Sequence, residues 1–160
     1  MKTQIKNLEM KVGLMTSAFL IAYFLFMKLI GLIQIVELRG LNLLILAGGV
    51  SYFYHTYRKQ SQSNIEYFKG LLTGIFTTLY AIIPFSLFVL FYFWKIDPDL
   101  IHQLKSHTLF MGFVITPEIA AETILIEGIV SGVILSFIFM QYYREGFNDP
   151  PIKKENSFER

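Results

Sequence analysis

The chain contains no cysteine, so disulfides and thiolate metal sites are excluded. Charge is also scarce. Only 16% of the 160 residues are Asp, Glu, Lys or Arg, against about 25% in a typical soluble domain. The charges it has are gathered into short patches, and the net value of +2 is too small for a nucleic-acid binder. Motifs for common chemistry are missing as well: there is no H-E-x-x-H, no phosphate loop and no nucleophile elbow. Apolar residues are abundant. They make up 54% of the chain, aromatics make up 16%, and the mean hydropathy is +0.50. Together these values point to a membrane protein.

Four apolar segments approach or exceed the roughly 17–25 residues needed to cross a bilayer. They run over about residues 12–36, 41–57, 70–94 and 117–143. A soluble bundle would put a polar stripe on each helix, yet the third segment, "GLLTGIFTTLYAIIPFSLFVLFYFW", holds no charge. The first segment is too long for a signal-peptide core, and no A-x-A-like site follows it. The short connection "ELRG" predicts an antiparallel hairpin. After the third segment, Asp97 and Pro98 form a helix start. Leu100, Ile101, Leu104, Met111 and Val114 then recur at helical spacing opposite Asp99, His102, Gln103 and Lys105, which predicts an amphipathic surface helix over about 98–114. "TPE" at Thr116, Pro117 and Glu118 opens the fourth helix ahead of the bilayer. Residues 144–160 are polar and contain Pro150 and Pro151, and are read as a disordered cytoplasmic tail. The expected fold is all-α: a single four-transmembrane-helix domain over residues 1–143, built as two antiparallel hairpins, with a surface helix between helices 3 and 4.

Lysine and arginine near the segment ends give the orientation. Lys2, Lys6, Lys11, Arg58, Lys59, Lys69, Arg144, Lys153, Lys154 and Arg160 fall on one side, and Arg39, Lys95 and Lys105 on the other. This asymmetry predicts that both termini are cytoplasmic. A faint parallel repeat is also visible, pairing "GLMTSAFLIAY" from Gly13 with "GLLTGIFTTLY" from Gly70.

Candidate functional residues are few. His55, His102 and His107 cannot share one metal site under this topology, so no metal or cofactor is expected. Gly70, Gly74, Thr77, Ala81 and Pro84 line one face of the third helix, and Ala121, Gly128, Gly132 and Ser136 line one face of the fourth. Small residues let helix backbones approach closely in lipid, so Gly70, Gly74, Gly128, Gly132 and Ser136 are expected packing positions. Gly48, Ser51 and His55 give the second helix a weaker polar face. Pro84 is expected to kink its helix. Two charges, Lys28 and Glu127, fall inside the apolar runs at similar expected depth. They form a candidate intramembrane polar pair, while a snorkelling Lys28 is the plainer alternative.

The order and spacing of "KVGLM", "TYRK", "EYFKGLLTG", "KIDPDLI" and "EGIVSGVILSFIFMQYYR" cover nearly the whole chain. With them the chain resembles a bacterial family of small membrane proteins catalogued as domain of unknown function 4199. Typical members carry an acidic residue after the arginine of the second motif, where this chain has Lys59. The resemblance implies a four-helix protein of the bacterial inner membrane and carries no activity, cofactor or catalytic residue. The expected function is therefore a non-enzymatic integral membrane protein whose partners are the lipid bilayer and other membrane subunits or a second copy of itself, with no nucleic acid. The alternative is a small transporter or channel-like carrier using Lys28 and Glu127.

Overall fold

The computed structural model describes residues 2–31, 40–60, 67–96 and 116–143. These form four helices: α1 (Lys2–Ile30), α2 (Gly40–Gln60), α3 (Tyr67–Phe91) and α4 (Pro117–Tyr143). A π-helical turn, Tyr92–Ile96, extends α3. The predicted surface helix over 98–114 and the tail over 144–160 lie outside the described residues.

The helix ends follow local chemistry. The Thr116 hydroxyl accepts the Ile119 amide at 3.3 Å and the Thr116 carbonyl accepts the Ala120 amide at 3.0 Å, so "TPE" does cap α4. Arg58 and Lys59 occupy the last turn of α2, where cations complement the helix dipole. The first helix differs from expectation at both ends. It begins at Lys2, because Ile5, Leu8, Glu9 and Val12 keep an inward face through the polar N-terminal stretch. It stops at Ile30, where Gly31 adopts φ +76° and its amide bonds the Lys28 carbonyl at 3.0 Å. A left-handed glycine just past the last turn is a helix terminator. Pro84 lies within the uninterrupted α3, and the departure from α geometry comes two turns later, at the π turn.

Contacts between the helices fix their directions. Gly13 abuts Thr77 and Tyr80, while Phe24 sits among Phe85, Phe88, Tyr92 and Phe93, so α1 and α3 are parallel. Gly74, Thr78 and Ile82 meet Ser136, Gly132 and Gly128 in turn, so α3 and α4 are antiparallel. Thr16 abuts Gly49 and Leu20 clusters with Leu46, which makes α1 and α2 antiparallel. The chain thus runs up, down, up, down. The bundle is a square with the ring order α1, α2, α4, α3, and α1 and α4 stand at opposite corners.

Three of the helices are long and apolar enough to cross a membrane: Ile5–Ile30, Tyr67–Ile96 and Pro117–Tyr143. The fourth, α2, falls short in apolarity because its second half, "SYFYHTYRKQ", is rich in polar and charged groups. The distribution of polarity is inverted relative to a soluble bundle. Thr16, Ser17, Thr77, Thr78, Ser86 and Ser136 are buried inside, while Leu29, Leu44, Phe68 and Ile126 are 85%, 64%, 68% and 63% exposed.

Candidate functional site

The buried polar groups form a built interior. Threonine hydroxyls donate back to their own helices: Thr16 to the Val12 carbonyl at 2.9 Å, Thr77 to Thr73 at 2.9 Å and Thr78 to Gly74 at 3.1 Å. This satisfies each hydroxyl without water. Ser86 instead crosses between helices, donating to the Ala121 carbonyl at 2.8 Å.

The node joining three helices is Tyr54, which is fully buried on α2. Its hydroxyl donates to the Gly70 carbonyl of α3 at 2.9 Å, with the Ser136 carbonyl of α4 at 3.4 Å. Gly74 makes room for this hydroxyl: a Cβ there would strike the Tyr54 oxygen and lie 2.8 Å from Ser136 Oγ. Thr73 also donates to the Gly70 carbonyl, at 2.8 Å. Around the node, Tyr54 stacks on Tyr143 with 6.1 Å between centroids, and Phe53 stacks on Tyr57 at 5.6 Å. The signal in the sequence was available, since Val50, Phe53, Tyr54 and Tyr57 follow the i, i+3, i+4, i+7 spacing of one helix face.

The predicted packing residues fall on the α3–α4 seam and its extension to α2. Gly70, Gly74, Gly128, Gly132 and Ser136 are all buried. An added Cβ on Gly128 would come within 2.7 Å of Ile82, and one on Gly132 would collide with Thr78. Gly13 and Gly70, the paired glycines of the faint repeat, lie on parallel helices but meet different partners.

The candidate charge pair is distributed otherwise. Because α1 ends at Ile30, Lys28 sits in its last turn instead of near its middle. There its charge complements the helix carboxyl end, and its Nζ lies 4.8 Å from the centroid of the Tyr92 ring. That ring belongs to a cluster in which Phe24 meets Tyr92 edge-on at 5.2 Å. Glu127 occupies an exposed position on α4, at the corner diagonal to α1. The two charges are therefore carried by helices that share no substantial interface. His55 is exposed on α2, and His102 and His107 lie outside the described residues.

The described residues form an all-helical bundle with three helices long and apolar enough to cross a bilayer, and the buried small and polar residues named above lie at contacts between its helices. No family model, curated protein or solved structure matches the chain.

Proposed function

We propose that this is a non-enzymatic, four-span integral membrane protein of the bacterial inner membrane, with cytoplasmic termini, that assembles with other membrane subunits or with itself. The inverted polarity carries this reading: hydroxyls and glycines are inside, and leucine, isoleucine and phenylalanine are outside. In water that surface would drive aggregation, whereas in lipid it is the natural exterior.

Length and aromatic placement agree. The 21 residues of α2 span about 32 Å at 1.5 Å per residue, enough for a hydrocarbon core of about 30 Å despite its polar half. Tyr57, Tyr67 and Tyr143 mark one end of the bundle, and Tyr92 and Trp94 the other. Tyr67 and Tyr92 are about 38 Å apart by helical rise, which suits aromatic belts at two interfaces. Lys6, Lys11, Arg58, Lys59 and Lys69 gather at the end that carries both termini of the bundle, and such a bias favours the cytoplasmic side. The resemblance to the bacterial family supplies the choice of the inner membrane.

The carrier alternative would place Lys28, Glu127 and Tyr80 around a central cavity. One groove among the described residues lies between α1 and α2, and its lining includes none of the three.

The lack of native cysteine makes the topology directly testable. In intact spheroplasts, Lys95→Cys is expected to react with an impermeant thiol reagent, while Lys69→Cys reacts only after lysis. The reverse pattern would overturn the orientation, and reaction at both sites in intact cells would overturn the spanning arrangement.

A further inference from the structure

A groove of about 270 Å³ opens between α1 and α2. Two adjacent glycines create it. A Cβ on Gly49 would collide with Thr16, so there the helices touch, while a Cβ on Gly48 would meet nothing within 4 Å. Gly48 therefore leaves a slot beside the closest approach, walled by Val12, Met15, Phe19 and Tyr52. The Thr16 hydroxyl in its floor is already bonded to the Val12 carbonyl, so the slot offers a ligand an apolar surface. From Val12 to Phe19 it runs about 10 Å along the helix axis.

The same two helix faces change character one turn further on, toward the end where α1 begins and α2 finishes. On α1, Lys11 lies one turn from Met15. On α2, His55 lies one turn from Tyr52, and Lys59 one turn beyond that. All three are exposed. The nearby acid of α1, Glu9, is 7% exposed and belongs to the inward face. An apolar slot thus leads into a cationic mouth at the interface end of the bundle.

That step in polarity matches one kind of molecule: a phospholipid whose acyl chain fills the slot and whose headgroup carries negative charge. We propose that the α1–α2 groove binds a membrane phospholipid with an anionic headgroup, with its chain against Gly48 and its phosphate held by Lys11 and Lys59. Lysine suits this place because its stem follows apolar surface while its ammonium reaches the headgroup layer. The site presupposes the membrane-embedded arrangement proposed above.

Fluorescence quenching separates the two ideas. In a Trp94→Phe background, Tyr52→Trp reports the groove and Ile134→Trp reports the exposed side of α4. Liposomes carry brominated phosphatidylglycerol or brominated phosphatidylcholine at equal mole fraction. The Ile134→Trp signal is expected to be quenched alike by both lipids. The Tyr52→Trp signal is expected to be quenched several-fold more by phosphatidylglycerol. That preference is expected to vanish in Lys11→Gln/Lys59→Gln and in Gly48→Leu, which fills the slot. Equal quenching of Tyr52→Trp by both lipids overturns the site and leaves the membrane arrangement intact. Quenching at Ile134→Trp with none at Tyr52→Trp means that protein, such as a second copy, covers the groove, and it also overturns the site. No quenching at Ile134→Trp overturns the membrane arrangement itself, and the site with it. A measurement free of tryptophan substitutions is native mass spectrometry of the chain released from mixed-lipid nanodiscs. Retained phosphatidylglycerol is expected to fall in Lys11→Gln/Lys59→Gln, and an unchanged count overturns the proposal.

Discussion

The α3–α4 seam and the α1–α2 seam both contain glycine, yet only the first is closed by it along its length. On α3 and α4 the small residues recur every four positions on both partners, so Gly128 and Gly132 each receive a side chain from the facing helix, and Gly74 receives Ser136. On α2 the two glycines are consecutive. Neighbouring residues on a helix point about 100° apart, so Gly49 faces Thr16 while Gly48 faces open space. The difference shows that glycine content alone does not signal helix contact in such a protein. The four-residue period on both helices of the seam does.

The most severe test of this contrast is Gly132→Leu. A leucine there must displace Thr78 and its backbone, and overpacking of this kind costs roughly 3 kcal/mol. A large drop in the thermal midpoint in detergent, followed by circular dichroism, is expected. An unchanged midpoint would mean that the α3–α4 seam is absent.

Tyr54→Phe removes the hydroxyl that ties α2 to the tight seam. The Gly70 carbonyl keeps its bond from Thr73, so the loss is held to about 1 kcal/mol. Reversible unfolding in mixed micelles would measure it. A loss of several times that size would show that the node also orders the surrounding rings.

Lys28→Met is expected to cost roughly 0.5–1 kcal/mol, through the Tyr92 contact. Adding Glu127→Gln is expected to be additive, because the two residues lie on diagonal helices. A coupling above about 0.5 kcal/mol would show that the two charges communicate.

Opposite in sign is Gly48→Ala. With open space around the new methyl, only helix propensity acts, and the chain is expected to gain up to about 1 kcal/mol. A destabilisation instead would show that the slot is closed in the folded protein.

Much of the seam was legible because its signal is local. "GLLTGIFTTLYA" and "EGIVSGVILS" write the small-residue period directly into the chain, and "TPE" writes the start of α4. The end of α1 was harder to read. Gly31 is embedded in the apolar stretch "KLIGLIQIV", and hydropathy continues through a glycine that the backbone uses as a stop. Read to Val36, the first helix puts Lys28 toward the middle of the membrane; ending at Ile30, it puts Lys28 in the last turn, on a helix diagonal to the one that carries Glu127. The Tyr54 node was obscured for another reason. "SYFYHTY" offers three tyrosines, and only the helix phase shared with Val50 and Phe53 reveals that Tyr54 lies innermost.

The matching of Gly74, Thr78 and Ile82 with Ser136, Gly132 and Gly128 works like the teeth of two racks. One residue inserted within α4 would turn everything beyond it by about 100° and advance it about 1.5 Å, setting bulky side chains against every remaining notch. Residues added to the connection between the two racks would leave all the teeth engaged. Variation in the length of this protein should therefore be tolerated between the helices and eliminated within them.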